Sequence, residues 1–345
     1  MKGRKILILI IIIFSVLLSS FSFYAYQVIK TPNILVQQDD TFIYIYPGTT
    51  FKQLQDSLYH KGIVHDLISF SMLAKFKGYD KNIRPGRYLL KSEMNNIEAI
   101  DLLRSGNQVP VNITFNNVRL VSELAEKICA NIALPPEEFN QLLADSVVIE
   151  SYGFNQENFL SMFIPNTYEV YWDISAAVLM DRIYYEYQNF WDEKKKEKAR
   201  SIGLSPKEVS VLASIVHAES QQNDDELPRI AGLYMNRLDR NMALQADPTL
   251  VYAAGDFTIR RVLNEHREID SPYNTYMYTG LPPGPIRAPS IAAIMGVLDS
   301  ETHNYLYMCA KEDFSGSHNF ASSLSQHLRN ARLYQNALNK AKLYR

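Results

Sequence analysis

The chain has 345 residues, 47% hydrophobic and 21% charged, which suits an anchor plus two folded units and excludes a disordered chain. A net charge of −2 and the lack of any dense basic tract exclude nucleic acid as an expected partner. The two cysteines, Cys129 and Cys309, belong to no CxxC pair; this rules out a cysteine zinc site and leaves either one disulfide or two inert thiols.

Lys2, Arg4 and Lys5 precede an uncharged apolar run from Ile6 to Ile29, about 24 residues, enough to cross a bilayer with some tilt. The run exceeds the about 7–15 apolar residues of a signal peptide and has no A-x-A-like site, so a retained anchor is expected. Basic residues ahead of the span predict a cytoplasmic N-terminus. The protein is then single-pass in the inner (cytoplasmic) membrane, with everything after Lys30 outside the cytoplasm. Tyr24 and Tyr26 fit the outer interface. Residues 1–30 form the stub and anchor, and 31–40 a short linker.

Thr41–Tyr46 reads as a strand, broken by Pro47-Gly48. Phe51, Leu54, Leu58 and Tyr59 mark one helical face, and Leu67, Phe70, Leu73 and Phe76 another over Leu67–Phe76. Pro85-Gly86 turns the chain into a strand at Arg87–Leu90. This strand–helix–helix–strand order resembles a LysM-like module, a common glycan-binding unit; a small α+β unit that merely packs against its neighbour has the same order. A helix over Asn96–Leu103 ends at Ser105-Gly106, a plausible C-cap. The module spans residues 41–108.

From residue 109 the pattern changes. A strand near Val111–Phe115 leads into helices near Leu120–Ile132 and Pro136–Ala144. One long charged helix is expected over Ala176–Ile202, with Glu193–Lys198 (EKKKEK) as its solvated face. Ser205-Pro206-Lys207-Glu208 is a capping box with proline at the first helical position. Val209, Leu212, Ala213 and Val216 follow as an apolar stripe, and Glu219 continues it. A carboxyl among apolar groups is costly to ionise, and a carboxyl protonated near neutral pH can act as a general acid on a glycosidic bond. Helix geometry alone leaves open that Glu219 bends out to water or pairs with Arg229. Gln221–Glu226 (QQNDDE) reads as a polar loop, and Pro228 opens the next helix, which carries Asn236 and Arg237.

The segments that follow are rich in amides, hydroxyls and tyrosines held by proline and glycine, groups suited to sugars. Together, LASIVHAES (Leu212–Ser220), LYMNRL (Leu233–Leu238), LQADPT (Leu244–Thr249), YNTY (Tyr273–Tyr276), GLPPGPI (Gly280–Ile286) and GSHNF (Gly316–Phe320) resemble, in order and spacing, the YceG-like family of endolytic murein transglycosylases. The anchor and LysM-like module match that family's layout, so the resemblance covers nearly the whole chain. In IPNTY (Ile164–Tyr168), Asn166 stands where the family usually has aspartate, and Ala246 replaces a more usual small hydroxyl residue.

The resemblance implies an α+β protein: a transmembrane helix, the LysM-like module, and a larger mixed α/β catalytic domain at 109–345 with a helix-borne glutamate. It implies that Glu219 is catalytic and cleaves the β-1,4 bond between N-acetylmuramic acid and N-acetylglucosamine inside a peptidoglycan strand, leaving a 1,6-anhydro end and limiting strand elongation. An ordinary glycosidase needs two carboxylates; here the C6 hydroxyl replaces water, so one carboxyl serves in turn as acid and base. Gln245, Asp247, Thr249, Asn274, Tyr276, His318 and Asn319 are the expected substrate contacts, although Asp247, next to Pro248 and Thr249, reads more simply as a turn-forming residue. Neither a metal nor a cofactor is expected, since HExxH and a PCxxC partner for His217-x-Glu219 are absent. Peptidoglycan strands are the expected partner, with the synthases (penicillin-binding proteins) that make them. The alternatives are a non-catalytic wall scaffold that binds glycan or synthases, and a hydrolase that uses Asp247.

Overall fold

The structure, a computed structural model, describes residues 2–36, 40–220 and 223–341. Residues 37–39 of the expected linker, and Gln221 and Gln222 of the expected polar loop, lie outside the described residues. The chain divides into two compact units: Met1–Asn112 with Asn131–Ala133 and Glu169–Ile174, and Ile113–Ala130 with Leu134–Tyr168 and Ser175–Arg345.

The first unit opens with α1 (Lys2–Lys30), which contains the one described helix long and apolar enough to cross a membrane, with a mean hydropathy of 2.9. Residues 32 and 34 then bridge to Asn95 and Val64, and Ile34 is wholly buried, so this stretch belongs to the unit and is not a free tether. The strand β1 (Asp40–Ile45) pairs antiparallel with β2 (Gly86–Lys91), Ile43 opposite Tyr88. Side chains alternate across a strand, so Ile43, Ile45, Tyr88 and Leu90 go inward together.

Between the strands, α2 (Phe51–His60) starts at a capping box of Thr50 and Gln53, and α3 (Leu67–Phe76) at an Asp66 cap. Their buried faces differ from the sequence expectation. Leu54 and Leu58 are buried on α2, but Tyr59 is exposed. On α3, Ser69, Phe70 and Ala74 are buried while Phe76 is 87% exposed. The cause is polar: Ser69 accepts from Asn96 at 3.0 Å, and Asn96 accepts from Asn33 at 2.6 Å, which turns the small-residue side of α3 toward α4 (Asn96–Ser105). Gly106 ends α4 in the left-handed region that glycine adopts without strain.

The second unit is mostly helical. The strands β3 (Val111–Thr114) and β4 (Thr167–Val170), which pair, each have residues in both units, and α5 (Ser122–Cys129), α6 (Pro136–Ala144) and α7 (Ser146–Ser151) lie between them in sequence. The expected helix over Ala176–Ile202 is two, α8 (Ala176–Phe190) and α9 (Glu193–Ser201). Trp191 is buried at the break, and Asp192 caps α9 by accepting from the Lys195 N–H at 2.8 Å. The cysteines are unpaired, Cys129 buried and Cys309 half-buried.

At the centre runs α10 (Pro206–Glu219), packed against α11 (Leu227–Asp239) and α13 (Ile291–Leu298). It is buried on all sides from Val209 to Val216, not along a single stripe, as befits a core helix. The short α12 (Asp247–Ala254) and the antiparallel pair β5 (Tyr307–Ala310) and β6 (His318–Ala321) flank it, and α14 (Leu324–Lys340) packs on that pair.

Candidate active site

The capping box fixes where α10 begins: Ser205 Oγ accepts from the Glu208 N–H, and Glu208 accepts from the Ser205 N–H at 2.8 Å. Fourteen helical residues later the helix ends at Glu219, where Ser220 turns the chain by bonding back to Val216 and to the Asn223 carbonyl. Glu219 therefore stands at the last position of a buried rod, with one side still open to a cleft.

Tyr234, 2% exposed on α11, donates its hydroxyl to Glu219 Oε1 at 2.8 Å. Burial pushes the Glu219 carboxyl up to about 7, and the negative charge of Asp247 acts in the same direction. The Tyr234 hydrogen bond and the Arg237 charge pull the other way and only partly offset this. Arg237 itself is spent on backbone, donating to the carbonyls of Leu306, Ala243 and Leu244. Arg229 pairs with Glu301 at 2.9 Å, so it is not a partner of Glu219.

Two lobes of cavity, about 740 Å³ and about 440 Å³, meet at Glu219 and Asp247, which line both. The smaller lobe gathers Gln245, Tyr276 and His318 with Tyr234. Gln245 sits at φ 50°, a left-handed conformation that costs a non-glycine residue about 1 kcal/mol, and its N–H bonds the Thr275 carbonyl at 3.0 Å. Asp247 opens α12 and accepts from the Tyr276 hydroxyl at 2.5 Å, while the Arg267 guanidinium lies 4.8 Å from the Tyr276 ring centre. His318 is held by Glu226, which is 6% exposed: its carboxylate takes both the His318 N–H and Nδ1, the latter at 2.9 Å.

Three expected contacts fall elsewhere. Thr249 is wholly buried and bonds the Ala246 carbonyl and Thr275 Oγ1. Asn274 is wholly buried too; its amide donates to the carbonyls of Arg267 and Ile269 and accepts from the N–H groups of Tyr276 and Met277. Both are frame: they clamp the LQADPT and YNTY segments so that Gln245, Asp247 and Tyr276 face the cleft. Asn319 follows His318 on β6 and so faces the other way, donating to Glu312 at 2.8 Å.

His217 lines neither lobe. Its Nδ1 accepts from the Ser290 N–H at 3.1 Å, and burial, with the Arg287 charge, lowers its pKa to about 4. It fastens the loop after GLPPGPI, and Ser214 fastens the end of that segment itself, accepting from the Ile286 N–H at 3.0 Å. Gly284 is required there, since a Cβ would sit 1.7 Å from the Glu157 carbonyl oxygen.

Sequence reasoning missed Tyr234 and Glu226, and also Arg119 and Arg287, which line the larger lobe. Tyr234 had a signal, since it continues the buried positions Ile230 and Leu233 of an amphipathic helix. Arg119 had none, being 100 residues from Glu219 with no motif of its own.

Comparison with known proteins finds relatives of the chain as a whole. The model of the YceG-like family matches residues 43–333. The endolytic murein transglycosylase of Bacillus subtilis (strain 168) is 28% identical over 295 residues, 81% of this chain and 81% of its own. That of Streptococcus pneumoniae (serotype 2, strain D39) is 24% identical over 96% of this chain but 66% of its own length, so the chain spans about two thirds of that relative. A crystal structure of a YceG-like protein from Listeria monocytogenes, 24% identical, superposes with a TM-score of 0.54 over 84% of this chain and 98% of its own, which marks a shared fold.

Proposed function

The chain belongs to the YceG-like family, and on that premise we propose that it is an endolytic lytic transglycosylase of peptidoglycan, with Glu219 as its single acid and base. The observation that carries this reading is the Glu219 carboxyl, held by Tyr234 at the junction of the two lobes with its pKa pushed up to about 7. Such a group is half protonated at neutral pH and can give or take a proton there.

Glu219 donates its proton to the oxygen that links C1 of N-acetylmuramic acid to N-acetylglucosamine, and the C1–O bond breaks. The carboxylate so formed takes the proton of the C6 hydroxyl, whose oxygen closes on C1. The product carries a 1,6-anhydro ring, and Glu219 ends protonated as it began. Gln245, Tyr276 and His318 hold the sugars on the smaller-lobe side, with Tyr276 oriented by Asp247. Mass analysis of the products from purified peptidoglycan tests this: anhydro ends support it, and exclusively hydrolysed ends with an intact Glu219 would refute it.

One observation favours a second reading. Asp247 lines the same cleft and its charge reaches Glu219, so it could serve a hydrolase as the second carboxylate. Hydrolysed ends that vanish in Asp247→Asn would select that reading.

The rest of the chain fits this activity. Its apolar α1 anchors it once through the inner membrane, with the N-terminus cytoplasmic and residues 109–345 outside as the catalytic domain. Residues 41–108 act as a LysM-like module that holds glycan, and the partners at that membrane face are the synthases that extrude new strands, which the cut shortens or ends.

A further inference from the structure

The larger lobe is lined by Arg119, Arg260, Arg261 and Arg287, with Glu219 and Asp247 where it meets the smaller one. Arg287 lines it and is 6% exposed. Among the described residues its guanidinium makes one hydrogen bond, from Nη2 to the neutral amide oxygen of Asn117 at 2.8 Å, and its Nε is buried without a partner. Arg119 lines the same lobe close by; burial first, and then the Arg119 charge, pull down the proton affinity of Arg287. The Arg119 side chain lies 4.9 Å from the Phe257 ring centre, and the nearby Glu123 carboxylate is taken by the Arg119 backbone N–H and by Lys127. Among the described residues neither guanidinium is paired with a carboxylate, and an unpaired charge buried as Arg287 is costs the folded protein stability. A ligand oxyanion placed between them offsets that cost, because the guanidinium fork matches a carboxylate in geometry and charge.

We propose that this arginine-lined lobe binds a carboxylate of the peptide substituents carried by the glycan strand, beside the bond that Glu219 cleaves. The inference rests on the reading of the cleft as a peptidoglycan-cutting site. The peptide hangs from the same muramic acid whose C1 holds that bond, so it leaves the strand beside Glu219, where the larger lobe begins. A pyrophosphate at the end of a lipid-linked strand offers similar oxyanions, but lies remote from a cut made inside the strand.

The test uses the full chain in detergent as Glu219→Gln, which binds without cutting. It is mixed with three probes: strands bearing peptides, the same strands with every peptide carboxylate converted to a neutral carboxamide, and amidated strands ending in a lipid pyrophosphate. Strands with free peptide carboxylates are expected to bind at least about tenfold more tightly than either amidated form, and the advantage should shrink as salt screens it. Arg119→Gln should reduce their binding to the amidated level, and Arg287→Lys, which keeps the charge and loses the fork, should do so in part. Equal binding of all three probes, an advantage that survives Arg119→Gln, or an advantage confined to the pyrophosphate probe would overturn the assignment. The same strands given to the unmutated protein separate this proposal from the activity: arginine-dependent binding without any cleavage would leave the anion site standing and remove the transglycosylase reading.

Discussion

Replacing Glu219 with Gln is the sharpest probe of the site, because it should abolish turnover and stabilise the fold at the same time. The amide keeps the size of the side chain and an oxygen for the Tyr234 hydroxyl, but cannot ionise. In the folded protein the carboxyl titrates at about 7 against an ordinary 4.5. A folded-state pKa raised in this way means that the native state holds its proton more tightly than the unfolded chain does. Stability from this group is fully present below about pH 4.5 and is lost as pH rises through about 7. At about 1.4 kcal/mol per pH unit, the loss approaches about 3 kcal/mol by pH 8. Glu219→Gln escapes it, so the gap in melting temperature between the variant and the unmutated protein should widen by roughly 6–10 °C between pH 4 and pH 8. Calorimetry at a series of pH values measures this. Activity should follow the same group: kcat/KM falls about tenfold per unit above pH 7, and Glu219→Gln loses at least about 10²-fold at its optimum. A gap independent of pH would show that the carboxyl is not held protonated by its surroundings, and the general-acid role would lose its physical basis.

Other substitutions test the supports of that carboxyl. Tyr234→Phe removes a hydrogen bond that lowers the Glu219 pKa, so the alkaline limb of the kcat/KM profile should move to higher pH while kcat falls about tenfold for want of positioning. Ser205→Ala removes the cap of α10 and should cost about 1 kcal/mol in chemical denaturation, with kcat/KM unaltered. In Gly284→Ala the new methyl meets the Glu157 backbone at 1.7 Å; a loss of about 2–4 kcal/mol is expected, since neither backbone can yield cheaply, and a variant as stable as the parent would contradict the packing. His217 presents the opposite linkage to Glu219: its folded pKa is lowered from 6.5 to about 4. Stability should therefore fall as pH drops from about 6.5 toward 4, and His217→Gln should flatten that slope in acid denaturation curves.

Much of the fold was legible because it rests on local chemistry. The capping box at Ser205, the proline at Pro206 and the glycine at Gly106 each act within a turn of backbone, and the structure has them in those roles. What periodicity could not supply was which face a partner would choose. On α3 the large apolar residues Leu67, Phe70, Leu73 and Phe76 suggest one side; Phe70 is wholly buried as expected, but Phe76 is exposed and hydrogen bonds linking Asn33, Asn96 and Ser69 across 63 residues of sequence bring Ser69 and Ala74 inward instead. The break at Trp191 escaped notice for a related reason. A tryptophan inside a charged helical run reads as one more helical residue, until a tertiary cavity takes its ring and Asp192 restarts the helix.

The site divides along the same line, and the division bears on what a motif means. LQADPT and YNTY were read as sugar-binding because their side chains are polar. In the structure, polarity serves two ends within each segment. Gln245, Asp247 and Tyr276 face the cleft, whereas Thr249, Thr275 and Asn274 are buried and spend their hydrogen bonds on the protein itself: Thr275 ties LQADPT to YNTY, and Asn274 ties YNTY to the carbonyls of Arg267 and Ile269. A buried polar group must find its partners inside the protein, so polar residues recur in such loops whether or not a ligand ever touches them. Composition cannot separate the two, but exposure can. The same reasoning runs in reverse for Arg287: it is buried too, yet among the described residues its Nε has no partner. A buried guanidinium left partly unpaired at the edge of the cleft is the observation on which the proposed carboxylate site rests.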